Sequence, residues 1–266
     1  MPVTGAGRNQ PSAEVLRSIA AASRQTGVSF DYLLNQAKSE SAFNPQARAQ
    51  TSSASGLYQF TQQTWLATLN AHGAEHGLGW AADAIDRSPG GSFKIADPGA
   101  RQAILDLRTD PQASAAMAAE LASDNGNYLT QQLGRSATST DLALAHFLGA
   151  EGAAKFLSAL AANPDASAAP LFPEAAEANH SVFFDKSGAP RTLAEIRDRF
   201  EGVAASEAVL PPASGGGGTM RREVSSETRA SGWTGDLPDF QPMPRHLSLS
   251  FAEAAYRRLS KLGGDA

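Results

Sequence analysis

The sequence contains no cysteine, which excludes disulfide bonds, thiolate metal ligands and a cysteine nucleophile. It also lacks any run of about 18 consecutive apolar residues, the length that a membrane-spanning helix requires. Residues 1–10 lack the apolar core of a secretory signal, so export would need another route or another start site. These absences predict a chain without a membrane span, stabilised by its own packed core.

Basic residues are also fewer than acidic ones: the chain has 22 lysine and arginine residues and 27 aspartate and glutamate residues, for a net charge of -5. Residues 203–266 hold equal numbers of acidic and basic side chains, so the excess negative charge lies in residues 1–202. An acidic chain lacks the field that attracts nucleic acid, and we expect no nucleic-acid partner. The hydrophobic content of 42% is sufficient for a core and excludes a wholly disordered chain.

Residues 11–202 show apolar residues three and four positions apart, which predicts a succession of short helices and one all-α domain. The predicted helix starts carry capping residues or proline: Pro11, Ser29, Thr61, Asp97 with Pro98, Asp110 with Pro111, and Thr192 with Glu195. Gly27 and Gly73 are the predicted ends of the first and third helices, and Gly149 joins residues 141–148 to residues 152–162. Trp65 lies on an apolar helix face and is expected in the core.

The two ends of the chain differ from this central part. Residues 1–10 are expected to be disordered, and residues 203–246, with four consecutive glycines at 215–218, are typical of a flexible linker. Residues 247–262 regain a helical apolar stripe and predict an amphipathic C-terminal helix. Because a single helix of this length is marginal in water, we expect it to pack on its own domain or on a partner.

One ionisable side chain occupies a position where the second predicted helix requires an apolar one. Leu33 and Ala37 lie on the inward stripe of this helix, and the next position of the stripe is Glu40. Burial and the negative end of the helix dipole both disfavour a charged carboxylate, so we expect the pKa of Glu40 to be raised. Such a carboxyl group can protonate a leaving-group oxygen. The alternative is a Glu40 side chain off the stripe that pairs with Lys38 or Arg48.

Two short motifs surround a loop that is rich in serine, threonine and alanine. Residues 40–45 read ESAFNP and residues 56–59 read GLYQ. Together they resemble the soluble lytic transglycosylases, the goose-lysozyme-like family that cleaves peptidoglycan, and the similarity in character extends over about residues 12–202. The family's second motif is Gly-Leu-Met-Gln, so Tyr58 replaces a methionine here.

The resemblance implies a lysozyme-like helical domain in the periplasm that acts on peptidoglycan glycan strands, with no metal or organic cofactor. It implies that Glu40 alone protonates the oxygen of the MurNAc-β-1,4-GlcNAc bond and then deprotonates the sugar's own 6-hydroxyl, which leaves 1,6-anhydro-MurNAc. Ser41, Tyr58 and Gln59 are the candidates to orient the substrate's N-acetyl group. Taken alone, Tyr58 would be read as a core aromatic and Gln59 as a loop residue that caps the next helix.

The third motif of the family, Ala-Tyr-Asn, is altered in this chain. Its best counterpart is residues 145–149 (AHFLG), which places His146 at the usual tyrosine and Phe147 at the usual asparagine. These two residues and Tyr128 are candidates to line the glycan groove, with core packing as the alternative for Phe147 and Tyr128. The motifs are similar to an alphaproteobacterial branch that includes flagellar enzymes. A flagellar rod or secretion protein, recruited through residues 203–266, is therefore the implied partner.

Residues 72–76 (HGAEH) fit an inverted zinc-protease pattern, with two histidines and an adjacent glutamate. Such a site requires both histidines on one continuous helix, but Gly73 and Gly77 interrupt it and no convincing third ligand follows. We therefore expect His72 and His76 to be exposed loop residues that hold no metal.

Two other functions remain open from the sequence. One is a hydrolytic muramidase of the same fold, in which water replaces the 6-hydroxyl. The other is an inactive glycan-binding scaffold that recruits partners through its C-terminal tail. Retention of Glu40 argues against the scaffold, whereas the altered third motif argues for it.

Overall fold

The structure is a computed structural model that describes residues 10–50 and 52–205. Within these residues the fold is helical, so the all-α prediction is confirmed, and the only strands there are one pair of two residues each. In the same part of the chain, every helix is too short or too polar to cross a bilayer. Most of the predicted linker and the whole predicted helix 247–262 lie outside the described residues, as do residues 1–9.

The first half of the described chain contains α1 (Ala13–Thr26), α2 (Phe30–Ser41), α3 (Gln62–His72), α4 (Gly79–Asp83), β1 (Asp86–Arg87), β2 (Phe93–Lys94) and α5 (Pro98–Asp106). The second half contains α6 (Pro111–Leu133), α7 (Ser139–Ala162), α8 (Pro173–Ala178), α9 (His180–Phe183) and α10 (Leu193–Ala205). Short 3-10 turns follow α3 at Gly73–His76, α5 at Leu107–Thr109, and precede α8 at Ala169–Leu171. β1 and β2 pair antiparallel.

The helix starts are held by side-chain oxygens that accept hydrogen bonds from backbone N–H groups near the helix start, as the sequence predicts. These capping residues are Ser29, Thr61, Asp97, Asp110 and Thr192. At α1 the cap is Ser12 and not Pro11, since the Ser12 hydroxyl accepts from Val15 N–H. Gly27 ends α1 in the left-handed conformation, with φ of 76°.

α7 departs from regular geometry where the sequence predicts a junction between two helices. Gly149 has φ of 76° and ψ of 161°, so the chain kinks there before the helix resumes. The helix begins earlier than predicted, because Thr138 and Asp141 form a capping box. At the other end of the described chain, α10 extends to Ala205, three residues into the predicted linker.

Buried apolar side chains form two clusters that meet along α6. The first core cluster lies under α1 to α6 and its large members include Trp65, Ile19, Leu33, Leu57, Leu66, Leu69, Ile104 and Met117. The second core cluster lies under α6, α7 and α10 and its large members include Phe147, Phe156, Phe183 and Leu129. Burial of each such side chain stabilises the fold by about 1.5–3 kcal/mol. Trp65 is fully buried as predicted, and its Nε1 donates to the Ile104 carbonyl at 2.9 Å.

Candidate active site

Glu40 lies in the last turn of α2, where the helix carries its buried face into the first core cluster. The buried residues of α2 include Leu33, Ala37 and Glu40, so the carboxyl group does continue the apolar stripe. The Glu40 side chain is 0% exposed. Ala42 then ends the helix in the left-handed conformation, with φ of 51° and ψ of 39°. The acid therefore sits at the negative end of a helix and out of water, where a charged carboxylate is disfavoured.

The partner of this carboxyl group comes from α7, which is distant in the sequence. His146 Nε2 lies 3.0 Å from Glu40 Oε1, and His146 Nδ1 lies 3.1 Å from Gln36 Nε2. Because an amide nitrogen can only donate, Nδ1 is the acceptor, and in a neutral imidazole the proton must then be on Nε2. His146 Nε2–H therefore donates to Glu40 Oε1.

The two oxygens of the Glu40 carboxyl group differ in their environment. Oε1 accepts the His146 hydrogen bond, whereas Oε2 is buried and has no hydrogen-bond partner among the described residues. Burial raises the pKa of Glu40, and the hydrogen bond and charge of His146 offset that rise only in part. When such a carboxyl group is protonated and one of its oxygens accepts a hydrogen bond, the oxygen without a partner can carry the proton and donate it to a substrate.

The nearby Tyr32 hydroxyl experiences the same environment. Burial raises the pKa of Tyr32, and the negative charge of an ionised Glu40 raises it further. Burial thus raises the pKa of both the hydroxyl and the neighbouring carboxyl group. Neither Tyr32 nor Gln36 is among the residues that the sequence singles out. Gln36 could have been found, because it precedes Glu40 by four positions and so shares its helix face.

Residues of the two motifs fasten the loop to α2. The Ser41 hydroxyl hydrogen-bonds to the Ala37 carbonyl at 3.1 Å and to the Leu57 carbonyl at 2.8 Å. The Tyr58 hydroxyl donates to the Leu33 carbonyl at 3.1 Å, and burial raises the pKa of this phenol. Tyr58 is 2% exposed, so here it is the core aromatic that the sequence left as the alternative. Contact of Ser41 or Tyr58 with substrate stays a prediction.

Gln59 holds the loop together from inside. Its Nε2 donates to the Gly56 carbonyl at 2.8 Å and to the Ala47 carbonyl at 3.1 Å, while Thr61 caps α3. Gln59 is buried and has φ of 49°, which a residue other than glycine adopts only in a well-determined turn. Its alternative reading as a cap of the next helix is therefore wrong, and its contact with substrate stays a prediction.

Gly56 allows the loop to approach the 3-10 turn that follows α5. A Cβ atom at this position would lie 1.7 Å from the Arg108 carbonyl oxygen, which no side chain can accommodate. The φ of Gly56 is 86°, in the region that favours glycine. The glycine of the GLYQ motif therefore sets how the loop packs.

The remaining candidates from the sequence lie on α6 and α7. Phe147 is 1% exposed and packs with Phe183 and Phe200 at centroid distances of 6.2 Å and 5.2 Å, so the structure shows the core-packing alternative for it. Tyr128 is half-buried against the second core cluster, and burial followed by the charge of Glu151 raises its pKa. Substrate contact by Tyr128 stays a prediction.

The histidines of residues 72–76 are placed differently from the sequence expectation. His76 has an 8% exposed side chain, and both histidines hydrogen-bond to carboxylates on α6. The expectation of exposed loop residues is wrong for both histidines. His72 is the last residue of α3 and its side chain is 18% exposed, and the 3-10 turn that ends in His76 packs against α6. The acidic partners are Glu120 and Asp124, which the sequence could not connect to this turn.

A comparison with known families covers the segment that contains Glu40. Residues 17–76 match the family model described as the transglycosylase SLT domain. The matched segment contains Glu40 and the whole loop up to α3, while His146 lies beyond it. Members of this family are lytic transglycosylases, and peptidoglycan is the substrate that the domain implies. Through this segment, the chain is similar to the transglycosylase SLT family.

Proposed function

We propose that this protein is a lytic transglycosylase that cleaves the MurNAc-β-1,4-GlcNAc bond of peptidoglycan and forms 1,6-anhydro-MurNAc, with Glu40 as its single acid and base. The observation that carries the proposal is the Glu40 carboxyl group. It lies within the matched segment, has a raised pKa, and presents one oxygen to His146 while the other has no partner among the described residues.

In the first step, Glu40 Oε2–H gives its proton to the glycosidic oxygen and the bond from that oxygen to C1 of MurNAc breaks. The resulting positive charge on C1 is stabilised by the substrate's own N-acetyl group. In the second step, the Glu40 carboxylate takes the proton of the C6 hydroxyl as O6 bonds to C1. Water is not consumed, so one carboxyl group suffices where hydrolytic glycosidases use a pair.

His146 supports both steps through one hydrogen bond. When Glu40 is protonated, His146 Nε2–H holds Oε1 and so directs the acidic proton to Oε2. When Glu40 has lost its proton, the same hydrogen bond becomes charge-assisted and stabilises the carboxylate until it is protonated again. His146 is therefore a positioning residue in this proposal, and it replaces the tyrosine of the family's third motif.

The substrate must reach an oxygen that is shielded in the structure. Since the Glu40 side chain is 0% exposed, the side chains around it have to move before Oε2 can meet a glycosidic oxygen. Catalytic hydrogen bonds often reach their final geometry only in the complex with substrate. We propose that glycan binding produces this opening.

The cellular setting is a further part of the proposal. We propose that the enzyme acts in the periplasm, where this substrate lies, and that it cleaves the wall locally for an envelope-spanning assembly such as a flagellar rod or secretion machine. We propose that residues 203–266 bind a protein of that assembly and so keep the cleavage local. The sequence resemblance supports this role.

The test is digestion of purified sacculi with the full chain and with Glu40→Gln, followed by mass spectrometry of the released muropeptides. The matched control is Asp31→Asn, which neutralises an exposed carboxylate in the first turn of the same helix. We expect Glu40→Gln to lose about a thousandfold in rate, since it removes both proton transfers. Asp31→Asn should keep the wild-type rate, and the wild-type products should end in anhydro-MurNAc.

The other two functions give different results in the same experiment. A hydrolytic muramidase releases reducing ends, which are heavier than anhydro ends by one water molecule. An inactive scaffold binds the sacculi without releasing fragments. Equal rates for the wild type and Glu40→Gln would remove Glu40 from the mechanism and overturn the proposal.

A further inference from the structure

A second group of histidines and carboxylates lies at the end of α3, apart from Glu40 and its partners. His72 is the last residue of α3, and Glu75 and His76 belong to the 3-10 turn that follows. Glu120 and Asp124 face them from α6, four positions apart and thus on one side of that helix. Two imidazoles and three carboxylates therefore converge where the turn packs against α6.

The distances between these groups are short enough for a shared cation. One ligand atom from each of His72, Glu75 and Glu120 lies within 4.8 Å of the other two. His72 Nδ1 and Glu120 Oε2 are 3.6 Å apart. Two ligands of a tetrahedral zinc ion, each about 2.1 Å from the metal, lie about 3.4 Å from one another. The pair therefore nearly has the spacing of two metal ligands, and Glu75 offers a third ligand atom within 4.8 Å of both.

The hydrogen bonds around these three residues leave suitable lone pairs available. His72 Nε2–H donates to Asp124 Oδ2 at 2.8 Å, so Nδ1 is the nitrogen that faces Glu120. A ligating imidazole usually has this arrangement, with its other N–H held by a carboxylate.

Glu120 is oriented in the same way from its other oxygen. His76 Nε2–H donates to Glu120 Oε1 at 2.7 Å, and Glu120 Oε2 is the oxygen closer to His72. The carboxylate is thus fixed by one oxygen and open at the other. Burial of the two side chains, which are 8% and 14% exposed, keeps this orientation defined.

We propose that His72, Glu75 and Glu120 bind one divalent transition-metal ion, Zn²⁺ in the first instance, with Asp124 and His76 as outer hydrogen-bonding partners. The imidazole ligand favours a transition metal over Mg²⁺ or Ca²⁺, which prefer sets of oxygen ligands. Three carboxylates offset the charge of the ion. The metal would tie the end of α3 to α6, since its ligands come from both sides of this contact.

The proposal is independent of the glycan chemistry and is tested by metal binding alone. The full chain is prepared without a histidine tag, treated with EDTA, and titrated with ZnCl₂ and separately with MgCl₂ in a calorimeter. Glu75→Gln removes an exposed ligand and Asp124→Asn weakens the outer hydrogen bond of His72. The matched control is His180→Asn, which removes an exposed histidine on α9.

We expect one Zn²⁺ per chain and no saturable Mg²⁺ binding. Glu75→Gln should weaken zinc binding at least tenfold, Asp124→Asn should weaken it about 10–100-fold, and His180→Asn should leave it unchanged. Zinc at about 100 times its Kd should also raise the Tm of the wild type by about 5–10 °C. Circular dichroism spectra equal to the wild type show that each variant is folded. Absence of saturable zinc binding, or equal affinity in the wild type and Glu75→Gln, would mean that these residues form only an ion-pair cluster.

Discussion

Two buried carboxyl groups, at opposite ends of two helices, have opposite surroundings. Glu40 lies at the C-terminal end of α2 with one oxygen bonded to His146 and the other without a described partner. Asp141 lies in the first turn of α7, where Arg135 donates to both of its oxygens at 2.6 Å and 3.2 Å. The Thr138 backbone N–H adds a third hydrogen bond at 2.8 Å.

The difference appears in the two pKa shifts. Burial raises the pKa of Glu40, and one histidine does not compensate for it. Burial would also raise the pKa of Asp141, but the hydrogen bonds from Arg135 and Thr138 lower it overall. Burial alone therefore does not decide whether a carboxyl group keeps its proton. The direction of the pKa shift also depends on how many hydrogen-bond donors the carboxyl group has and on which end of the helix it occupies. Glu40, which has one oxygen without a described partner, is the group suited to proton transfer.

Within this comparison, the largest expected effect comes from removing His146, the donor that the described residues supply to Glu40. His146→Ala should lower the rate of glycan cleavage about 100-fold, because Oε1 is no longer held. It should also move the alkaline limb of the pH–rate profile to higher pH, since the His146 interaction lowers the pKa of Glu40. His146→Gln, which can restore an N–H donor, should recover part of the rate.

The control for this prediction is His180→Ala, which removes an exposed histidine on α9 and should leave rate and pH profile unchanged. An alkaline limb that stays in place in His146→Ala would contradict the pairing of His146 with Glu40 in the working enzyme.

At the other carboxyl group, the expected effect is on stability. Asp141→Asn should lower the free energy of unfolding at pH 7 by about 2 kcal/mol, because two charge-assisted hydrogen bonds from Arg135 are weakened. The folded pKa of Asp141 is below its ordinary value of 3.8. The stabilisation is thus present above that value and is lost as pH falls through the folded pKa.

Urea unfolding at pH 7 and near pH 3 measures this difference. Glu151→Gln, at an exposed carboxylate of the same helix, is the control and should change stability little. A deficit in Asp141→Asn that is equally large at both pH values would show that the charge of Asp141 is not what stabilises the folded protein.

The two carboxyl groups also show what could be predicted from sequence. Local signals were sufficient for most of the capped helix starts and for the raised pKa of Glu40, because caps and an apolar stripe depend on residues a few positions apart. The His146 contact joins residues 106 positions apart, and the cluster around His72 draws on α6, so neither follows from local spacing. The pair β1 and β2 was missed for a different reason, since two-residue strands carry no periodicity.

Glu40→Gln should also change stability, in the direction opposite to Asp141→Asn. The folded pKa of Glu40 lies above its ordinary value of 4.5, so wild-type stability falls as pH rises from that value through the folded pKa. The glutamine variant has no such loss. The free energy of unfolding of Glu40→Gln, relative to that of the wild type, should therefore increase by about 1.4 kcal/mol for each pH unit between 4.5 and the folded pKa of Glu40.

Chemical unfolding of the wild type and Glu40→Gln between pH 4 and pH 8 measures this gain. Asp31→Asn serves again as the control and should show no such growth, since Asp31 is exposed. A stability difference that stays constant with pH would mean that Glu40 ionises as it does in the unfolded chain.

The smallest expected effect concerns how α2 is fastened near the acid. Tyr58→Phe removes the hydroxyl that donates to the Leu33 carbonyl and should lower the free energy of unfolding by about 1 kcal/mol. Because Tyr58 is 2% exposed, KM for glycan should stay at the wild-type value. Parallel unfolding and kinetic measurements separate the two effects. A tenfold rise in KM with unchanged stability would instead place the Tyr58 hydroxyl on the substrate, and α2 would then depend on Ser41 and the packing of the loop for its position.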